Sequence, residues 1–398
     1  MAEVKPEIET SAKIKVVGVG GGGGSAINRM VASGIKGVGF VAVNTDVQAL
    51  HYNKATEKIH IGKGVTRGLG AGMNPDLGKS AAEESQNEIR DVLKGCDMVF
   101  VTCGLGGGTG SGASPIVAQI AKDLGALTVA VVTKPFMFEG GQRKSIADRA
   151  FSELADKVDT IITISNDKLL QVIDKRTSLL DAFKVADDVL RQGVQGIAEI
   201  ITVPGIINAD FADVKAVMSN AGSALMGIGQ ASGENKAVEA AKDAINSNLL
   251  DMAIDGARGI VFTVTGGPDL SMTEVSEAAK VITSAADDDA KIIFGAVIDE
   301  DMKDQIKITV VATGFDGSSQ STNNESVPSY TPNSFIKEKN ADKDFSPTSH
   351  VNKNKGKFSV FKNIPVKPAL EKKADKAKDS DQEEEDLSIP TFLRKKMG

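Results

Sequence analysis

Two stretches of this sequence have residue types and spacing that could do chemistry. The first is Gly104-Leu105-Gly106-Gly107-Gly108-Thr109-Gly110-Ser111-Gly112, six glycines in nine residues. Between a strand and a helix, such a run aims free backbone N–H groups and a helix N-terminus at one spot. Phosphate oxygens can then approach the main chain closely. Thr109 adds a hydroxyl donor. The second is Asn208-Ala-Asp210-Phe-Ala-Asp213, which sets two carboxylates three residues apart at a predicted helix start. They could turn one face toward a water or a metal ion. They could equally serve as an N-cap and a first-turn charge, which stabilise a helix by themselves.

Smaller constellations accompany these. Glu139 and Arg143 could meet a ribose, or form a surface ion pair. Phe183 and Asp187 lie four apart and so share a helical face. A carboxylate can accept both the N1–H and the 2-amino group of guanine, while adenine offers no such pair, and a ring beside it can stack on a base. A core phenylalanine and a solvated aspartate are the alternative readings. Gly18-Val-Gly20-Gly-Gly-Gly23 satisfies G-x-G-x-x-G after a strand, with Asp46 ending the next strand. That is the dinucleotide fingerprint, and it makes a nicotinamide oxidoreductase the alternative function. The second glycine loop argues against it, because a simple dinucleotide-binding domain needs one. Gly72 to Ser80 nearly forms a Walker A loop, but Gly78-Lys79-Ser80 stands one residue too far from Gly72.

The elements that must position these residues alternate. Lys13 to Val19 reads as a strand, then the glycines from Gly20 to Gly24, Ser25 and a helix to about Ser33. Gly39 to Val43 is a strand ending at Asn44-Thr45-Asp46. A loop from Arg67 to Pro75 precedes a helix from Gly78 to Leu93. Asp97 to Cys103 is a strand entering the long glycine run, and Ala113 to Leu124 the helix after it. Leu127 to Val132 is a further strand, leading to Thr133. Strand–helix alternation predicts an open parallel α/β sheet, with the glycine loops at its carboxyl edge, where ligands bind in such sheets. Residues 142–157 and 167–202 are helical in pattern, the second long and apolar enough to pack across the sheet. From 204 the texture changes. Helical segments near 210–220 and 234–247, with strands near 257–265, 291–298 and 305–313, predict a smaller α+β domain.

From Gly317 the chain is rich in Ser, Asn, Lys, Asp and Pro. It is expected to be disordered, since it cannot bury a core. It closes with an acidic run, Asp379 to Asp386, and then an apolar-basic end. There Ile389, Phe392 and Leu393 stand i, i+3, i+4, with Pro390 near a first turn and Arg394 and Lys395 flanking. Domain limits follow: an extension over 1–12, an α/β domain over 13–175, a connecting helix over 176–203, an α+β domain over 204–316, a linker over 317–385 and a terminal peptide over 386–398.

Composition bounds the rest. The chain of 398 residues carries a net charge of −7. Split at Gly317, the first part is at about −10 and the remainder at about +3. An acidic body argues against non-specific nucleic-acid binding, which rests on clustered Lys and Arg. A phosphate ligand would then be held by backbone amides and a metal ion. The two cysteines, Cys96 and Cys103, have no metal-type spacing and fit a reducing cytosol. The three histidines, His51, His60 and His350, are scattered. The start MAEVKPEIETSAK has no apolar core, so no signal peptide is expected. No apolar run reaches the roughly 18 residues of a membrane span.

The order Gly-Gly-Thr-Gly-Ser-Gly resembles the signature of the tubulin superfamily. Residues 12–316, with the last dozen, resemble the FtsZ family, the bacterial cell-division homologues of tubulin. The match runs through VGVGGGGG, AVNTD, RGLGAGMNP, GGGTGSG, TKPFMFEG, SNDKLL, LLDAF, NADFADV and IPTFLRKK. The resemblance implies a Rossmann-type GTPase domain, a long connecting helix, a second smaller α+β domain and a disordered tail. It implies GTP or GDP with Mg²⁺ and no dedicated cluster of metal-binding side chains. The phosphates would lie on Gly21, Gly22, Gly23, Gly24 and Ser25, and on Gly108, Thr109 and Gly110, with Gly20, Gly104, Gly106 and Gly107 as further GTP contacts. Asn44 and Thr133 would line the site, and Ala71 and Gly72 would sense the γ-phosphate. Glu139 and Arg143 would sit at the ribose, and Asn166, Phe183 and Asp187 would read guanine. Asn208, Asp210 and Asp213 would activate hydrolysis on the neighbouring subunit of a head-to-tail filament. Ile389, Pro390, Phe392, Leu393, Arg394 and Lys395 would bind membrane-anchoring and regulatory division proteins. The implied place is the cytoplasm, concentrated in a ring at mid-cell, with no membrane insertion and no nucleic acid. Ser25 stands where many members have Asn, Ser111 where many have Thr, and Ser165 replaces a common Pro.

Overall fold

The computed structural model describes residues 12–172, 177–203, 205–207, 209–247, 254–300 and 302–315. The linker over 317–385, the terminal peptide and its Ile389, Pro390, Phe392, Leu393, Arg394 and Lys395, and Asn208 lie outside the described residues. So does nearly all of the extension over 1–12. The chain divides into two units, Met1–Glu325 and Ser326–Gly398, and every described residue belongs to the first.

Six strands build the parallel half: β1 (Ile14–Val19), β2 (Val38–Asn44), β3 (Glu57–His60), β4 (Met98–Gly104), β5 (Leu127–Lys134) and β6 (Thr160–Ser165). They pair in the order β3-β2-β1-β4-β5-β6, every pair parallel. Helices cover both faces, which is why these strands are near-continuous apolar runs. Met98 and Phe100 of β4 point to one face with Ile27 and Met30 of helix Gly20–Ala32 and Val194 and Ile197 of helix Leu179–Thr202. Val99, Val101 and Cys103 point to the other, with Val117 and Ile120 of helix Thr109–Asp123 and Leu154 of helix Gly141–Ala155. Burial pushes the Cys103 thiol up to about 12, so it is inert as a nucleophile.

The second, smaller domain adds β7 (Gly222–Ser232), β8 (Ala257–Gly266), β9 (Ala286–Ile298) and β10 (Gln305–Thr313). Its helices Lys236–Ile245 and Met272–Thr283 close a separate core over Phe262, Val264 and Ile308. The expected change of texture near 204 does not break the sheet. β7 pairs parallel with β6, and the order continues β6-β7-β10-β8-β9 into one ten-stranded sheet.

Several expected elements differ. Gly20 to Gly24 is no loop: helix Gly20–Ala32 starts at the first of these glycines. A Cβ on Gly23 would stand 2.4 Å from the Thr102 carbonyl oxygen, so the glycines let this helix lie against β4. The helix expected over 78–93 is two, Pro75–Glu84 and Gln86–Leu93. It breaks at Ser85, whose hydroxyl leaves the helix to accept the Gly62 N–H at 3.2 Å. The helix expected over 167–202 is also two, Asn166–Val172 and Leu179–Thr202, the latter capped by Ser178. Strand β7 has no sequence signature, because Gly222-Ser-Ala-Leu-Met-Gly-Ile-Gly lacks the usual β-branched run. The small residues serve packing: a Cβ on Gly229 would lie 2.0 Å from the Ala240 carbonyl oxygen of helix Lys236–Ile245.

Candidate functional site

A cavity of about 310 Å³ opens at the carboxyl edge of the parallel strands, within the usual range for small-molecule sites. Helix Gly20–Ala32 after β1 and helix Thr109–Asp123 after β4 both begin at its floor. Neither has an acidic residue in its first turn. Two positive helix ends thus converge without neutralising carboxylates, an arrangement suited to an anion. Gly21, Gly22, Gly107, Gly108, Thr109 and Gly110 line this floor, with Gly104, Thr133, Ala71 and Gly72 around it. Added Cβ atoms on Gly21, Gly72 or Gly107 would meet no protein atom within 4 Å. These glycines leave space that side chains would occupy, as a bound group requires. Ser111 holds the loop from behind, its hydroxyl accepting the Gly106 N–H at 2.9 Å.

The far wall comes from later in the chain. Glu139 accepts from the Phe136 N–H at 3.0 Å and from Arg143 Nη1 at 2.7 Å. The two residues form the ion pair, and both line the cavity. Phe183 packs edge-on against buried Phe136, with centroids 5.4 Å apart at 85°, and keeps 40% of its surface exposed. Asp187, one turn on, is half-buried. Burial pushes its carboxyl up to about 6, against the opposing pull of the Arg29 guanidinium. Asn166, at the start of the helix after β6, is buried, and its Oδ1 has no hydrogen-bond partner among the described residues. A buried acceptor without a partner and a desolvated carboxylate at the same end call for a ligand rich in N–H donors.

The remaining expected contacts do not reach this cavity. Gly20, Gly24, Ser25 and Asn44 line an adjoining cavity of about 200 Å³, which shares Gly21 with the first. Gly23 packs on β4 and Gly106 against Arg143 and Pro135. Sequence reading missed Val19, Leu105, Pro135, Ala186 and Leu190, all lining residues. The signal for two of them was available: Ala186 and Leu190 continue the helical face of Phe183 and Asp187.

Asp210 and Asp213 are elsewhere. Asp210 caps helix Phe211–Met218, accepting the Ala212 N–H at 3.4 Å, and Asp213 lies in the first turn. Both are exposed and neither lines the cavity. The fold explains the separation. Helix Leu179–Thr202 runs from Phe183 and Asp187 at the cavity to Thr202, whose hydroxyl donates to the Lys36 carbonyl at 3.4 Å, just before β2. From Asp187 to Thr202 is about 22 Å at 1.5 Å per residue. Thr160, opening β6, donates its hydroxyl to the Met218 carbonyl. The two carboxylates therefore stand at the edge where the parallel strands begin, opposite the glycine floor.

Among the described residues no group of three His, Cys, Asp or Glu could hold a metal ion. No described helix is long and apolar enough to cross a membrane.

Comparison with known proteins follows the same division. The Tubulin/FtsZ family GTPase domain matches residues 13–174, and the FtsZ family C-terminal domain matches residues 222–316. An FtsZ dimer from M. jannaschii, described as empty, is 50% identical, covering 77% of this chain and 89% of that one, with a TM-score of 0.75. CetZ2 from Haloferax volcanii, described as a GTPγS-bound protofilament, is 21% identical, covering 75% of this chain and 92% of that one, with a TM-score of 0.65. CetZ1 from the same organism, a GDP-bound monomer, is 20% identical over 76% of this chain and 94% of that one, with a TM-score of 0.67. The last two likenesses are of fold.

Proposed function

This chain belongs to the FtsZ family of tubulin-like GTPases, and from that premise we propose how its residues bind GTP and share its hydrolysis between subunits. The phosphates lie on the glycine floor, against the two helix starts. The ribose meets Glu139 and Arg143. Guanine stacks beside Phe183, gives its N1–H and 2-amino protons to Asp187, and satisfies Asn166. Mg²⁺ bound with the nucleotide would neutralise charge on the phosphates; among the described residues no group of three His, Cys, Asp or Glu could hold it. Subunits stack head to tail, so that Asp210 and Asp213 of one, with Asn208, reach the phosphates of the next. Such a contact is heterologous and builds an open filament. The single observation that carries this reading is the opposition of the two chemical groups: the anion floor at one edge of the sheet, the carboxylate pair at the other. The M. jannaschii relative described as a dimer and the Haloferax volcanii protofilament support self-assembly in this fold.

A direct test is to incubate purified protein with GTP, ATP or NAD, each with Mg²⁺, and to follow sedimentation and phosphate release. GTP alone should give pelletable filaments and phosphate. Retention of NAD that GTP fails to displace would return the chain to the oxidoreductase class.

The position of Asp187 sets a pH dependence. Only its carboxylate accepts two guanine protons, and in the free protein it ionises near pH 6. GTP affinity should be flat above pH 7. Below pH 6 it should fall about tenfold per unit, because binding must then expel a proton. Arg29→Met, which removes the opposing charge, should move this fall to higher pH. Equilibrium titration with a fluorescent GTP analogue from pH 5 to 8 measures both, and an affinity unchanged from pH 7 to 5 would exclude the contact.

The filament is further proposed to form the division ring under the membrane in the cytoplasm, tethered through the terminal peptide. Removing 387–398 should leave GTPase activity and filaments intact and abolish binding to a membrane-anchoring division protein in a pull-down. A truncated protein that still binds its anchor would refute the tether.

A further inference from the structure

Thr45 follows β2, far from the glycine loop in sequence, yet it is fully buried with its hydroxyl 2.6 Å from that of Thr109. Thr109 is the first residue of helix Thr109–Asp123 and lines the cavity floor. The Thr45 carbonyl accepts the Thr66 hydroxyl at 3.4 Å, a proton shared with the Gly62 carbonyl at 3.0 Å. The next two residues hold the same segment. Asp46 bridges Leu69, and the Val47 N–H donates to the Gly68 carbonyl at 3.2 Å. One short stretch thus touches both the glycine floor and the loop that brings Ala71 and Gly72 to the cavity.

Proton counting then gives the pair a direction. A threonine hydroxyl has one proton and can also accept. A phosphate oxygen only accepts, so a Thr109 that serves a phosphate must give its proton to it. The proton between the two hydroxyls must then come from Thr45. We propose that Thr45 is a positioning residue for the nucleotide: by donating to Thr109 it fixes that side chain's rotamer and frees its proton for the phosphate. The proposal rests on the reading of this cavity as the GTP site.

The test compares Thr45→Val, which keeps shape and loses the hydroxyl, with Thr45→Ser, which keeps the hydroxyl. Thr45→Ala serves as the partner of Thr45→Ser should valine prevent folding. Affinities for GTP, GDP and guanosine are measured for these, for Thr109→Val and for the double variant. Loss of the Thr45 hydroxyl should weaken GTP and GDP by roughly five- to thirtyfold. Guanosine affinity should stay within about twofold, and Thr45→Ser should bind GTP nearly as wild type. The double variant should be no weaker than Thr109→Val alone, since Thr45 acts through Thr109. If the two losses multiply, or guanosine falls as far as GTP, Thr45 has only a general structural role and the proposal is wrong. If Thr109→Val weakens GTP while the Thr45 variants do not, the positioning role fails and the GTP site stands. If Thr109→Val itself binds GTP normally, both this role and the phosphate contact of Thr109 fall.

Discussion

Asp210→Ala should bind GTP with wild-type affinity, assemble, and hydrolyse about 10²- to 10⁴-fold more slowly, the range for losing a positioned acid–base group. The expectation follows from placement. Among the described residues nothing at the glycine floor offers a general base: the groups there are amides and hydroxyls, and the cavity's carboxylates, Glu139 bonded to Arg143 and Asp187 beside Phe183, belong to the far wall. Asp210 and Asp213 are exposed, at the opposite edge of the sheet, and oriented by a helix start. A helix cap alone would predict a different outcome, a loss of about 0.5–2 kcal/mol of stability with turnover per filament unchanged. Asp210→Asn separates the two, because asparagine caps as well as aspartate but brings no carboxylate. Slow hydrolysis in Asp210→Asn with an unchanged melting temperature assigns the chemistry to the charge. Near wild-type turnover in that variant would leave Asp210 as a cap.

The second large effect belongs to the other end of the site. Asp187→Ala should weaken GTP binding roughly a hundredfold, the value of about 3 kcal/mol for losing charge-assisted hydrogen bonds in a desolvated place. ATP affinity, already low, should change little, so the GTP preference collapses. The argument uses burial as much as hydrogen bonding. Asp187 is held on a helical face between Phe183 and Leu190, half-buried, with its carboxyl raised to about 6 by burial. Competition of GTP and ATP for the same fluorescent nucleotide measures the ratio. A variant that keeps both its GTP affinity and its preference would remove Asp187 from base recognition.

Much of this was legible in the sequence because it is local. Strand, glycine run and helix around residues 98–123 are contiguous, so their order alone puts amides and a helix start at one edge. Asp187 follows Phe183 by one helical turn, and the face they share is arithmetic. What could not be read was either non-local or made of small residues. The hydroxyl contact of Thr45 with Thr109 depends on β2 lying beside β1 and β1 beside β4. Strand β7 is invisible because its glycines exist to admit the helix Lys236–Ile245, a partner that a pattern of apolar residues does not show. Gly20 to Gly24 resembled a loop by composition, but it begins a helix whose glycines allow close contact with β4.

The shared-site mechanism turns on whether one subunit can hydrolyse GTP alone. The decisive measurement is the GTPase rate per subunit as a function of protein concentration, followed together with light scattering. A rate near zero at high dilution, rising with assembly, is the result expected if the opposite edges of two subunits complete one site. Mixing Asp210→Ala with Thr109→Arg should then restore part of the turnover, provided the second variant docks. A rate per subunit that stays constant below the assembly threshold would mean that each chain carries a complete site, and the head-to-tail mechanism would be wrong.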